Sequence, residues 1–233
     1  MIRVLLFTLF SLPLFSELFV FTPPQNWKLL NPQGDSKYII MSFAAPEIHY
    51  PPSLSLAHEP LKCGQKEYLN AVNKILTRNS KNCRKIGTRV TPAGKCTLFQ
   101  TENETAHGLF NTLVAIYFSH ANVYTLSFAA KKEGFSDLYA LFDKSIASGN
   151  ISNSIQEVLT DNECTSIEAA KTTFLKEASL IEGKVPLVEV LDKQPKSKKA
   201  LAQLEKSIVK TLGKERPVHA YYVLQEFIAG LTK

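Results

Sequence analysis

The chain predicts an α+β fold: a largely antiparallel β-sheet sandwiched by helices and followed by an α-helical C-terminal extension. Three observations carry this. Runs of β-formers between about residues 38 and 130 are joined by short turn signals, which implies consecutive hairpins and hence antiparallel pairing. Two amphipathic segments, Gln65 to Asn79 and Ser136 to Ala147, have apolar stripes at helical spacing and suit helices laid on that sheet. After about residue 153 the pattern becomes helical only.

Pro23-Pro24 and the turn-rich stretch from Asn31 to Asp35 bracket Trp27-Lys28-Leu29-Leu30, a short entry segment holding the single tryptophan. A lone tryptophan between turn signals reads as a core anchor, with a ligand-stacking role as the sharper alternative. Tyr38 to Ala45 reads as a buried strand. Leu54-Ser55-Leu56 reads as a short one after Pro51-Pro52. In the helix Gln65 to Asn79, Tyr68, Leu69, Val72, Ile75 and Leu76 form one stripe, and Lys66, Asn70 and Lys74 lie opposite.

Four strands follow. Lys85 to Thr91 and Lys95 to Thr101 flank the hairpin turn Thr91-Pro92-Ala93-Gly94. Leu109 to Ser119 and Val123 to Ala130 flank Ser119-His120-Ala121-Asn122. The helix Ser136 to Ala147 stops at Gly149. Beyond it, Thr165-Ser166-Ile167-Glu168 matches a capping box that opens a helix ending at Gly183. Pro186 opens a short helix, Lys193 to Lys199 is a basic linker, and Leu201, Leu204, Ile208 and Leu212 form a stripe ending at Gly213. Pro217 opens the final helix.

The first residues address a compartment. Arg3 precedes Val4 to Phe15, an apolar run of the length of a secretory h-region, and Ser16 is the small residue before a cut. A spanning helix needs about 20 apolar residues, and Glu17 interrupts the extension. The expected organisation is a signal peptide over 1–16, a sheet domain over 22–153 and a helical extension over 154–233. The protein is then exported, periplasmic or secreted; the alternative is anchoring to a membrane by an uncleaved leader. Cys63, Cys83, Cys96 and Cys164 allow two bridges in three connectivities, or four packed thiols. A direct Cys63–Cys83 bridge is disfavoured, because the intervening helix is about 22 Å long and too little chain follows it to return within the roughly 7 Å bridging limit.

The net charge of +6 is concentrated. From Lys62 to Lys95 there are nine bases and one acid, Glu67. Such a cluster is an electrostatic footprint for something anionic. The leader and the absence of a nucleic-acid-binding motif disfavour nucleic acid and leave an anionic protein or a membrane surface. The candidate docking residues are Lys66, Lys74, Arg78, Lys81, Arg84 and Lys85.

The order and character of the elements resemble the PsbP-like superfamily, with its DcrB/PsbP-type exported domain, over about residues 22–153. The residues that carry the resemblance are PPQNWKLL (23–30), YIIMSFAA (38–45), PSLSLAHEPLKCGQKEYLNAVNKIL (52–76), GTRVTPAGKCTLFQTE (87–102), LVAIYFSHANVYTLSFAA (113–130) and FSDLYALFDKSIAS (135–148). The resemblance implies an antiparallel sheet between helices and a non-catalytic binding or assembly role, so no catalytic residue, cofactor or metal is carried over. Residues 154–233 have no counterpart in it.

The chemistry-bearing motifs agree with a non-enzyme. There is no G-x-S-x-G, Walker or H-E-x-x-H pattern. The competing reading is a thiol- or metal-dependent enzyme using Cys63 with His58, or Cys96 with His107 or His120 as base. Against it, His49 and His58-Glu59 fall in a proline-rich stretch that reads as a solvated loop, and Cys96 falls in a strand pattern.

Overall fold

The computed structural model describes residues 17–30, 38–46, 49–177 and 195–231. The leader expected over 1–16, the turn signals at 31–35, the Gly183 stop and the Pro186 helix lie outside the described residues. The chain divides into two compact units, one of Phe21–Ile151 and the other of the residues up to Val20 together with Ser152 onward. In chain order the elements are β1 (Leu18–Val20), β2 (Lys28–Leu30), β3 (Ile39–Ala44), β4 (Ser53–Pro60), α1 (Gln65–Asn79), β5 (Asn82–Thr91), β6 (Gly94–Thr105), β7 (Gly108–Phe118), β8 (Asn122–Lys131), α2 (Lys132–Ala147) and β9 (Asn150–Ser152). A 3-10 turn (Ile155–Val158), α3 (Asp161–Glu177), α4 (Pro195–Leu212) and α5 (Pro217–Leu231) follow.

Within Phe21–Ile151, seven strands pair antiparallel in the order β2-β3-β4-β8-β7-β6-β5. Consecutive side chains on each strand point to opposite faces, so the sheet presents two different surfaces. One carries Phe99, Val114, Ile116 and Val123, against which Tyr68, Leu69, Val72 and Leu76 of α1 pack. The other carries Phe128, covered by α2 through Phe142 at a ring separation of 4.8 Å. The sandwich expected from the sequence is the observed one.

Trp27 finds its place on the α2 side. Pro24 to Trp27 form a turn closed by the Trp27 N–H donating to the Pro24 carbonyl at 3.2 Å. Asn26 holds φ of 65° at the third position, a left-handed conformation that asparagine tolerates. The turn delivers the indole edge-on to Phe142 at 6.2 Å. Trp27 is thus a packing anchor for α2.

Several expectations change. The short strand at Leu54–Leu56 runs over Ser53–Pro60, because the flanking prolines bound the strand. Strand β6 continues past the expected end at Thr101, through Glu102–Thr105, into a hairpin with β7. Helix α2 starts at Lys132, four residues before the expected Ser136. The basic linker gives way at Pro195, which opens α4.

In the second unit, α3 opens at Asp161, so the capping box is not the one at Thr165. Thr160 accepts the Glu163 N–H at 3.3 Å and the Glu163 carboxylate accepts the Thr160 N–H at 2.8 Å. This is the reciprocal pair of a capping box. The same carboxylate receives Arg216 Nη1 at 2.6 Å, and Arg216 Nη2 donates to the Val158 carbonyl at 2.8 Å. One guanidinium therefore ties the start of α5 to the 3-10 turn and to α3. Thr160→Ala should cost this unit about 1 kcal/mol, read as a lower urea midpoint with an unchanged slope. An unchanged midpoint would show that Thr160 caps nothing in solution. Gly213, at φ 81°, ends α4 as expected, and a Cβ there would meet the Glu215 carboxylate.

Candidate docking face

Helix α1 lies on the sheet with none of its residues fully buried. Tyr68, Leu69, Val72 and Leu76 face the sheet, whereas Ile75, expected in the same stripe, is 50% exposed. At about 100° per residue Ile75 falls at the rim of the apolar arc. Opposite the arc, Lys66, Lys74 and Arg78 are exposed. With Asn70 they follow an i, i+4 row that is about 18 Å long. Arg78 also sits in the last turn, where a cation complements the helix dipole.

The remaining candidates continue past the helix end. Lys81 pairs with Glu104 at 3.4 Å, and both side chains are exposed, so this ion pair adds little stability. Arg84 and Lys85 are also exposed but do not share a face. Lys85 is in register with Phe99, on the α1 side. Arg84 is in register with Gln100, on the α2 side, and donates to its side-chain oxygen at 2.9 Å. Arg89 is on that side too, 3.1 Å from Asp143 of α2. Of the nine bases between Lys62 and Lys95, Lys81 and Arg89 are ion-paired among the described residues. Lys66, Lys74, Arg78 and Lys85 form no ion pair there.

The residues invoked for an enzyme are not assembled. His58 is in a strand and not in a solvated loop: it stacks on Tyr124 at 5.0 Å and its Nε2 lies 3.0 Å from Asn122 Oδ1. Its neighbour Glu59 points to the other face and accepts the Tyr68 hydroxyl. Burial, then this bond to Glu59, pushes the Tyr68 phenol well above its usual range, and Cys63 lies near enough to add to the shift. His58 is therefore on the α2 side of β4, whereas Cys63 lies beyond the end of that strand, in the connection to α1. Cys96 has no exposed surface, and burial raises its thiol, which disfavours the thiolate nucleophile. His107 and His120 are exposed at hairpin turns, and no hydrogen bond joins either to Cys96. All four cysteines are free. Among the described residues no three His, Cys, Asp or Glu side chains gather as a metal shell.

The arrangement defines a class: an α+β unit with a seven-stranded antiparallel sheet between two helices, in a chain that continues into a helical region. No family model matches the chain, and no curated protein does. Among solved structures it is similar to LpqN, involved in cell envelope biogenesis of Mycobacterium tuberculosis. That match has 13% identity and a TM-score of 0.48, covering 59% of this chain and 84% of that one. It is also similar to cyanobacterial PsbP (CyanoP) from Synechocystis, at 12% identity and a TM-score of 0.41, covering 63% of this chain and 99% of that one. A Bacteroides thetaiotaomicron protein aligns at 13% identity and a TM-score of 0.40, covering 85% and 79%. Among the described residues no helix is long and apolar enough to cross a membrane.

Proposed function

We propose that the protein is an exported, non-catalytic interaction module of the cell envelope that docks on an anionic partner or surface through α1 and the strand that follows it. The observation supporting this reading is the set of unpaired bases. Lys66, Lys74 and Arg78 stand in one exposed row on α1, and Lys85 continues on the same side of the sheet. Held on a helix already packed against the sheet, these charges need little ordering on binding. They raise the capture rate of an anionic partner, an attraction that fades with a screening length of about 8 Å at physiological ionic strength.

The test is a Lys66→Glu, Lys74→Glu variant. Both side chains are exposed, so its unfolding free energy should stay within about 0.5 kcal/mol of the parent. Binding to phosphatidylglycerol vesicles or to native envelope extract should be salt-sensitive in the parent and lost in the variant. Binding that persists unchanged would reduce the row to solvated surface.

A further inference from the structure

We propose that the anionic partner is an acidic protein segment in extended conformation, which adds to the sheet beside the edge strand β5. The inference rests on the docking reading above and narrows it to one partner chemistry. Strand β5 ends the strand order and, among the described residues, pairs with β6 alone. It is 10 residues long, whereas the opposite edge, β2, is three. An edge of that length presents a row of backbone donors and acceptors that can template another strand.

The charges choose the occupant. A bulge between Lys85 and Gly87 divides the edge, with Gly87 at φ 142°, a conformation that favours glycine. The stretch before the bulge, Asn82–Lys85, is in continuous register with β6 and carries Arg84 and Lys85 on opposite faces. Beyond it, Arg89 is on the α2 side and Val90 is 79% exposed. A flat surface lying on α1 meets Lys66, Lys74, Arg78 and Lys85 but not Arg84. A strand at the edge alternates its side chains between the two faces and meets bases on both. A second copy of this chain would bring the same cations to the edge, and like charges side by side disfavour that pairing. An acidic strand gains where a basic one is repelled.

The probe is a peptide of three Glu-Glu-Val repeats, which puts acids on both faces of a strand, compared with the same peptide N-methylated at every backbone nitrogen, so that neither of its edges can donate. With the full chain, the unmodified peptide should bind in low salt and slow the hydrogen exchange of those β5 amides that β6 leaves free. Removing its backbone donors should weaken binding about tenfold or more at unchanged charge. Arg84→Glu should weaken the peptide by a larger factor than it weakens phosphatidylglycerol vesicle binding, because Arg84 is on the face away from α1.

Equal affinity of the two peptides, or protection confined to α1, would overturn strand addition and leave the basic docking face standing. Protection of β5 without peptide, with dimerisation, would overturn the choice of an acidic partner. No peptide binding, with vesicle binding still dependent on Lys66 and Lys74, would replace the acidic strand by a lipid surface.

Discussion

Truncating Phe142 to alanine should destabilise the sheet unit by about 3–5 kcal/mol, the usual cost of deleting a buried phenylalanine ring. Phe142 has no exposed surface. Its ring meets Phe128 at 4.8 Å, Phe135 at 5.6 Å and Trp27 at 6.2 Å, so it joins sheet, helix and entry turn at one point. Aromatic pairs at such separations are worth about 0.5–1.5 kcal/mol each beyond area burial. A domain is stable by only about 5–15 kcal/mol in total, so the melting temperature should fall by roughly 10 °C or more. The sole tryptophan stands beside the mutated position, so its emission reports the unfolding of this unit directly. Phe142→Leu keeps most of the volume and should cost less than about 2 kcal/mol, leaving a folded variant to measure should the alanine form fail to accumulate. A loss below about 1 kcal/mol for alanine would show that α2 does not close the sheet through this ring.

Much of this core follows from period alone. Helix α1 occupies the expected span, and the turns at Thr91–Gly94 and Ser119–Asn122 join strands as expected. Two kinds of information were not in the local pattern. Thr-x-x-Glu occurs both at Thr160–Glu163 and at Thr165–Glu168, and choosing between them depends on Arg216, more than 50 residues away, which binds the Glu163 carboxylate. Likewise, prolines at 51, 52 and 60 read equally as loop residues or as the ends of a strand. Only pairing of β4 with β8 over its whole length decides for the strand.

The docking residues show the same division. Exposure of Lys66, Lys74 and Arg78 is written in the helical period, because they lie opposite the apolar arc. The split between Arg84 and Lys85 was hidden by a boundary: a strand starting at Lys85 leaves Arg84 in a connection, whereas one starting at Asn82 assigns it a face. His58 and Glu59, adjacent in sequence, are parted by a single step of the pleat, and Cys63 lies beyond the end of the strand. Sequence proximity measures neither which face a strand residue takes nor which helix covers it.

The helical unit should lose stability as the pH falls from about 6.5 to 4, through His219. This residue is in the first turn of α5, is 9% exposed, and its Nδ1 is buried without a hydrogen-bond partner among the described residues. Burial, reinforced by the Arg216 guanidinium and opposed by the Glu163 carboxylate, lowers its pKa from 6.5 to about 4. In the unfolded chain the imidazole takes up its proton near 6.5, while the folded chain refuses it until about 4. Acid therefore favours unfolding across that window, by about 3 kcal/mol in all. Glu163 acts in the same direction further down. The Thr160 N–H, then Arg216, hold its carboxyl below the usual range, so its contribution is present above that range and is lost as the pH falls through the folded value. His219→Leu separates the two, because it removes the buried titrating group and leaves the Arg216–Glu163 pair in place. The variant should be at least as stable as the parent at pH 7, since an apolar side chain of similar size replaces an unpaired buried nitrogen. Hydrogen exchange of the α5 amides, followed from pH 7 to 4 and corrected for the intrinsic rates, reads the stability of this unit separately from the sheet. The parent should lose protection across the window and the variant should stay nearly flat until Glu163 titrates. Parallel profiles would mean that His219 reaches water in the folded chain, and that the acid sensitivity belongs to the carboxylates.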